Sequence, residues 1–265
     1  MKKLILLFSA AFLTSAVTFS QAGTWRIVGK AGSWSNTSFA VGSGSTIYSI
    51  ESSGSFYKTI PSTGASATVG KADYGNTKLL MASDSKAYTI EKTGTLYEIT
   101  PSTGEWKIIG NTGAWANTIM GVIVKDNLYS IEKTGTLYKT NIGTSEYATI
   151  GSAGSYANTK FLLAGTSMLY TIENTGTLYE IDPSTAGYKI IGSTGAYAYS
   201  ICATTVGDKL YTIESSGACY ETDLTTGTWK QIGKADYANT KILTSANNKI
   251  YTVDKSGTLY EINVK

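Results

Sequence analysis

The 265-residue chain has no histidine, two cysteines, three prolines and only one arginine, Arg26, among its 22 basic residues. Each shortage removes a class of function. Without histidine the usual neutral-pH general base and the commonest transition-metal ligand are both missing. A serine triad or a zinc centre therefore has little to stand on, and no catalytic residue, metal site or cofactor is expected. Charged residues make up 15% of the chain, with a formal net charge of +3. Setting aside Lys2 and Lys3 leaves 20 basic against 19 acidic residues. Neutralising several phosphates takes a concentrated basic face. No such face is visible, so nucleic acid is not an expected partner.

Long apolar runs are also scarce. The one present, Leu4 to Val17, follows Lys2 and Lys3 and precedes Ser20-Gln21-Ala22, a small-x-small site. It is too short for a membrane span and has the order of an export signal. Residues 1–22 are read as a signal peptide cleaved near Ala22. Residues 23–265 are then a secreted or periplasmic protein, not inserted in a membrane, and a monomer or small homo-oligomer.

What the chain has in quantity is glycine (28), tyrosine (19), serine and threonine, a mixture suited to short strands and tight turns. It also repeats itself. The glycine of an Ile-Gly or Val-Gly pair recurs at Gly29, Gly70, Gly110, Gly151, Gly192 and Gly233. An acid after a short apolar strand recurs at Glu51, Glu91, Glu132, Glu173, Glu214 and Asp254. Two markers with one period of about 41 residues define six units. Each unit carries four short β-type segments separated by Gly, Pro, Asn and Ser clusters, with no helical period. That is the size of one propeller blade. The chain opens on "TWRIVG", a fourth segment, and ends on "GTLYEINVK", a third. The expected fold is all-β: a six-bladed β-propeller with four antiparallel strands per blade, its ring closed by the N-terminal strand completing the last blade.

Cys202 occupies the position of Phe39, Leu79, Met120, Phe161 and Ile242. Cys219 occupies that of Phe56, Leu96, Leu137, Leu178 and Leu259. These positions lie on the first and third strands of a blade, roughly 9–10 Å apart across two strand spacings. A disulfide is not expected at that distance, even in an exported chain.

In a propeller the loop into each inner strand shares a face with the turn between strands two and three. That face gathers one aromatic residue per unit: Trp34, Tyr74, Trp115, Tyr156, Tyr197 and Tyr237. Two residues on come Asn36, Asn76, Asn117, Asn158 and Asn239, with Tyr199 in the fifth unit. Glycines such as Gly32, Gly113 and Gly154 precede the rings, and the Glu51 series faces them. Flat rings accept the C–H face of a sugar, Asn and Glu fix hydroxyl groups, and Gly lets a ligand approach the backbone. A structural reading stands beside this one: the rings as wedges between blades, and the Asn and Glu as turn caps. A second aromatic series, Trp25, Trp106, Tyr147, Tyr188 and Trp229, lies on the outer strand and reads as packing. Ser66 interrupts it.

The stretch "IGSAGSYANTKFLLAGTSMLYTIENTGTLYEI" (150–181) resembles the repeat of tachylectin-type propeller lectins, and its second half resembles the tectonin repeat. The resemblance covers all six units. It implies binding of N-acetylated or otherwise modified sugars at equivalent sites between blades, without catalysis. The matching loop residues are Gly32 and Trp34, Gly113 and Trp115, Gly154 and Tyr156, and their copies. Tachylectin-type chains have five blades, and they commonly carry Phe where Thr118 and its equivalents stand here. The expected function is multivalent glycan binding, in which repetition supplies avidity. The alternative is a structural or protein-binding scaffold. A glycoside hydrolase with paired carboxylates is the weakest reading.

Overall fold

The computed structural model describes residues 21–83 and 85–265. All but the last two residues of the expected signal peptide lie outside that range. The described chain forms 24 strands in six four-stranded antiparallel sheets, arranged as the blades of a propeller. The third blade serves as the template: β10 (Thr118–Val124), β11 (Asn127–Glu132), β12 (Leu137–Asn141) and β13 (Tyr147–Ile150). No helix long and apolar enough to cross a membrane occurs among the described residues.

The second strand of each blade is buried on both faces. In β11, Leu128, Tyr129, Ser130 and Ile131 are all buried, because one face packs on the preceding blade and the other on the following blade. The apolar core is therefore divided among the blade interfaces. One such cluster joins Met81, Tyr88, Ile90 and Leu96 of the second blade to Trp115, Ile123 and Leu128 of the third.

Every inner strand carries a register shift near its start. The residues skipped are Ser38, Lys78, Ile119, Lys160, Ile201 and Lys241. A bulge bends a strand and increases its twist, and here it turns each inner strand in from its loop. The inner strands then approach closely. A Cβ on Gly42 would stand 1.8 Å from the main-chain oxygen of Ser245, so only glycine fits there.

The last blade consists of β22 (Thr240–Ala246), β23 (Lys249–Asp254), β24 (Leu259–Ile262) and β1 (Trp25–Ile27). β1 pairs with β24 in the register Trp25↔Ile262, Arg26↔Glu261, Ile27↔Tyr260, the closure expected from the sequence. The pairing is fastened by charge. Glu261 is 3% exposed and its carboxylate takes Arg26 and Lys249, each at 2.6 Å. Burial pushes this carboxyl upward, but hydrogen bonds from Lys249 and Arg26 outweigh it and hold the group below its ordinary value.

Cys202 and Cys219 pair with the same residue, Ile213, from opposite sides. Both are free thiols, as the strand spacing requires. Burial raises them, Cys202 to about 11 and Cys219 to about 12.

Candidate functional site

The loops expected to carry the site form a hydrogen-bonded belt around one face. Each loop aromatic donates its N–H to the turn glycine of the preceding blade, as Trp115 does to Gly94 O at 3.0 Å and Tyr156 to Gly135 O at 2.9 Å. All six loops make this bond, at 2.8–3.1 Å. Two residues on, the main-chain carbonyl accepts from the turn of its own blade: Lys133 N–H to Asn117 O at 2.9 Å, Ser52 N–H to Asn36 O at 2.8 Å. The fifth unit does the same with Tyr199 O at 3.0 Å, so replacing Asn there leaves the belt intact. The turn glycines have two reasons to be glycine. Gly135 has φ of +76°, and a Cβ on it would lie 2.3 Å from Ala157 N.

The geometry assigns each expected site residue a position. Trp34, Trp115, Tyr197 and Tyr237 are buried, at 5–8% exposure, while Tyr74 and Tyr156 are partly exposed. They wedge neighbouring blades. Tyr237 also donates its hydroxyl to Gly23 O at 2.7 Å. Gly32, Gly113 and Gly154, at φ of +77°, +81° and +82°, accept the N–H three residues on at 3.1–3.3 Å and so turn the chain toward the ring. The side chains of Asn36, Asn76, Asn117, Asn158 and Asn239 are exposed.

Clefts open above the wedges. In the third blade a cavity of about 400 Å³ has Trp115 at its base, with Ser130, Glu132, Tyr138, Thr140 and Tyr147 around it. In the fourth blade the same positions, Tyr156, Thr171, Glu173, Tyr179 and Tyr188, line one of about 460 Å³. The fifth blade repeats it with Tyr197, Thr212, Glu214, Tyr220 and Trp229 in about 150 Å³. The sixth uses Tyr237, Thr252, Asp254, Tyr260 and Trp25, with Asn239 at the edge, in about 190 Å³.

The outer-strand rings, read from the sequence as packing alone, are open to solvent. Tyr147 is 74% exposed, Tyr188 73%, Trp229 62% and Trp106 57%. The outer-strand rings do pack as expected, edge-on against the third-strand tyrosines, in five blades, with centroids 4.9–6.1 Å apart. Four of them, Trp25, Tyr147, Tyr188 and Trp229, also line the clefts, a role the sequence had not assigned them. The signal was available in the register. Tyr138 pairs with Thr149 and Tyr147 with Thr140, so the two rings are diagonal neighbours on one sheet face. In the first blade Ser66 replaces the outer ring and shares a 3.0 Å hydrogen bond with Thr59. The acid series sits beside the third-strand phenols: burial and then Glu173 raise Tyr179, and burial and then Glu91 raise Tyr97. No group of three or more metal-ligating side chains occurs among the described residues.

No family profile matches the chain, and no curated protein sequence matches it. Solved structures share its fold. A protein of unknown function from Bacteroides thetaiotaomicron superposes with a TM-score of 0.66 at 12% identity, over 92% of this chain and 76% of that one. YCF48 from Cyanidioschyzon merolae does so with 0.57 at 13% identity, over 88% and 84%. A YCF48 structure with a bound D1 peptide gives 0.56 at 10% identity, over 91% and 97%. At these identities the likeness is one of fold: this chain is a six-bladed β-propeller.

Proposed function

We propose that the protein is an exported, multivalent carbohydrate-binding propeller that holds modified sugars in its blade clefts and performs no catalysis on them. One observation carries this reading: an exposed outer-strand ring beside a half-buried tyrosine, a carboxylate and hydroxyl groups recur at equivalent positions around clefts in successive blades. The exposed rings offer a flat apolar surface for the C–H face of a sugar. Glu132 and its equivalents accept from sugar hydroxyls, and Thr and Ser hydroxyls both donate and accept. A single cleft of this kind binds weakly. Several on one rigid ring engage a sugar-coated surface together, and linkage of that sort raises affinity by roughly 100-fold or more over one site.

Isothermal titration of residues 23–265 with a panel of mono- and oligosaccharides tests the reading. Saturable binding at several sites per chain is the expected result. Tyr147→Ala and Tyr188→Ala, separately and together, should lower binding in graded steps. The rival reading is a scaffold that seats one protein partner. It requires no heat with any sugar, and loss of all partner binding from substitutions in a single blade.

A further inference from the structure

Two sets of carboxylates recur from blade to blade. Those on the third strands are neutralised: Glu98 pairs with Lys86 and Lys107, Glu180 with Lys189, Glu221 with Lys230, and Glu261 with Arg26 and Lys249. The acids of the repeat, Glu51 to Asp254, make no ion pair among the described residues. Glu91 and Glu173 accept from turn hydroxyls of their own loops, Thr93 at 3.2 Å and Thr175 at 3.3 Å, and Asp254 accepts from Ser256, from the Thr258 N–H and from the Tyr260 hydroxyl. Nor is any of the four clefts lined by a lysine or arginine. Each joins a carboxylate without a counter-ion to three aromatic rings.

A carboxylate beside open aromatic faces is chemistry for a cation. Ring faces attract an ammonium through their quadrupole, and the carboxylate accepts its N–H groups in charge-assisted hydrogen bonds. An acetamido group carries no charge and would leave that carboxylate without a counter-ion. We propose that the modification these clefts select is a free amine: they bind protonated amino sugars, the ammonium on Glu132 or its equivalent and the ring C–H face on Tyr147 or its equivalent. This rests on the sugar-binding reading and narrows it.

Titration of residues 23–265 with a glucosamine tetramer and with its fully N-acetylated counterpart, at pH 6 and constant salt, separates the two ideas. The expected result is that the amine form binds about tenfold tighter or more, the size of a partly desolvated cation–π contact joined to a carboxylate. Its affinity should fall as salt rises. In the double variant Glu132→Gln, Glu173→Gln, the number of sites that prefer the amine form should fall by two while the unaltered clefts keep their preference, with the melting temperature recorded alongside; an unchanged number of such sites overturns the proposal. Equal or tighter binding of the N-acetylated tetramer overturns the amine proposal and leaves the lectin reading standing. Binding of neither overturns the amine proposal, and the panel titration above then decides the lectin reading on its own. A lysine tetramer that binds as tightly as the glucosamine tetramer shows selection of cations without the sugar, and also overturns the proposal.

Discussion

A ring that wedges two blades and a ring that meets a ligand differ in which measurement notices their loss. Trp115 is 7% exposed and fills the interface of the second and third blades. Trp115→Ala should cost about 3–5 kcal/mol, the range for emptying a buried aromatic site, read as a shift in the urea midpoint. Tyr147, at 74% exposure, should change stability by no more than about 0.5 kcal/mol on replacement by Ala, while weakening sugar binding. The turn glycines give a sharper contrast. Gly135→Ala puts a Cβ into the main chain of the next blade's loop and should cost more than the roughly 1–3 kcal/mol of a strained backbone alone. Gly44→Ala, at φ of +55° with nothing within 4 Å, should cost only the strain. The sequence shows these residues as series but hides their difference. The series of Trp115 has six members and that of Trp106 five, and what separates a wedge from an open ring is where in the blade each sits. The third-strand tyrosines were overlooked for a related reason. "TLYEI" has no wholly polar side, so a ring there reads as core until the fourth strand's register shows which rings share an open face.

At the scale of the strand, the fold was legible because its markers are redundant. The glycine and acid series give the same period, and the incomplete first and last units supply one another's missing strand. The register shift at Lys78 and its equivalents was not legible, since a bulge adds one residue without altering composition. Nor was the ion pairing of β24 with β1, whose partners come from opposite ends of the chain. Glu261 makes that pairing depend on pH. Its carboxyl is held below the ordinary 4.5 in the folded protein, so the unfolded chain binds its proton first as pH falls. The stability it contributes is present above the unfolded value and is lost as pH drops through the folded one. Glu261→Gln should therefore be less stable than the parent at pH 7, because Arg26 and Lys249 lose their partner. The gap in denaturation midpoint should narrow from about pH 5 downward.

The whole molecule is a ring whose blades touch only their neighbours, yet it is not an open array. Each blade interface has its own apolar cluster, and β1 joins the last blade to the first. Deleting residues 259–265 removes β24, parts β1 from β23 and leaves the last blade incomplete. The shortened chain should lose the single cooperative transition, with the calorimetric enthalpy exceeding the van't Hoff value. The same closure sets an order in time. Arg26 and Glu261 stand 235 residues apart, and synthesis at about 5–20 residues per second separates their emergence by roughly 10–50 s. By the end of that interval five blades have all their strands, while the first strand made has waited throughout without a partner, its backbone donors and acceptors open to any passing chain. A protein assembled this way has its most vulnerable moment just before its last strand arrives, and the hazard lengthens with every pause in translation.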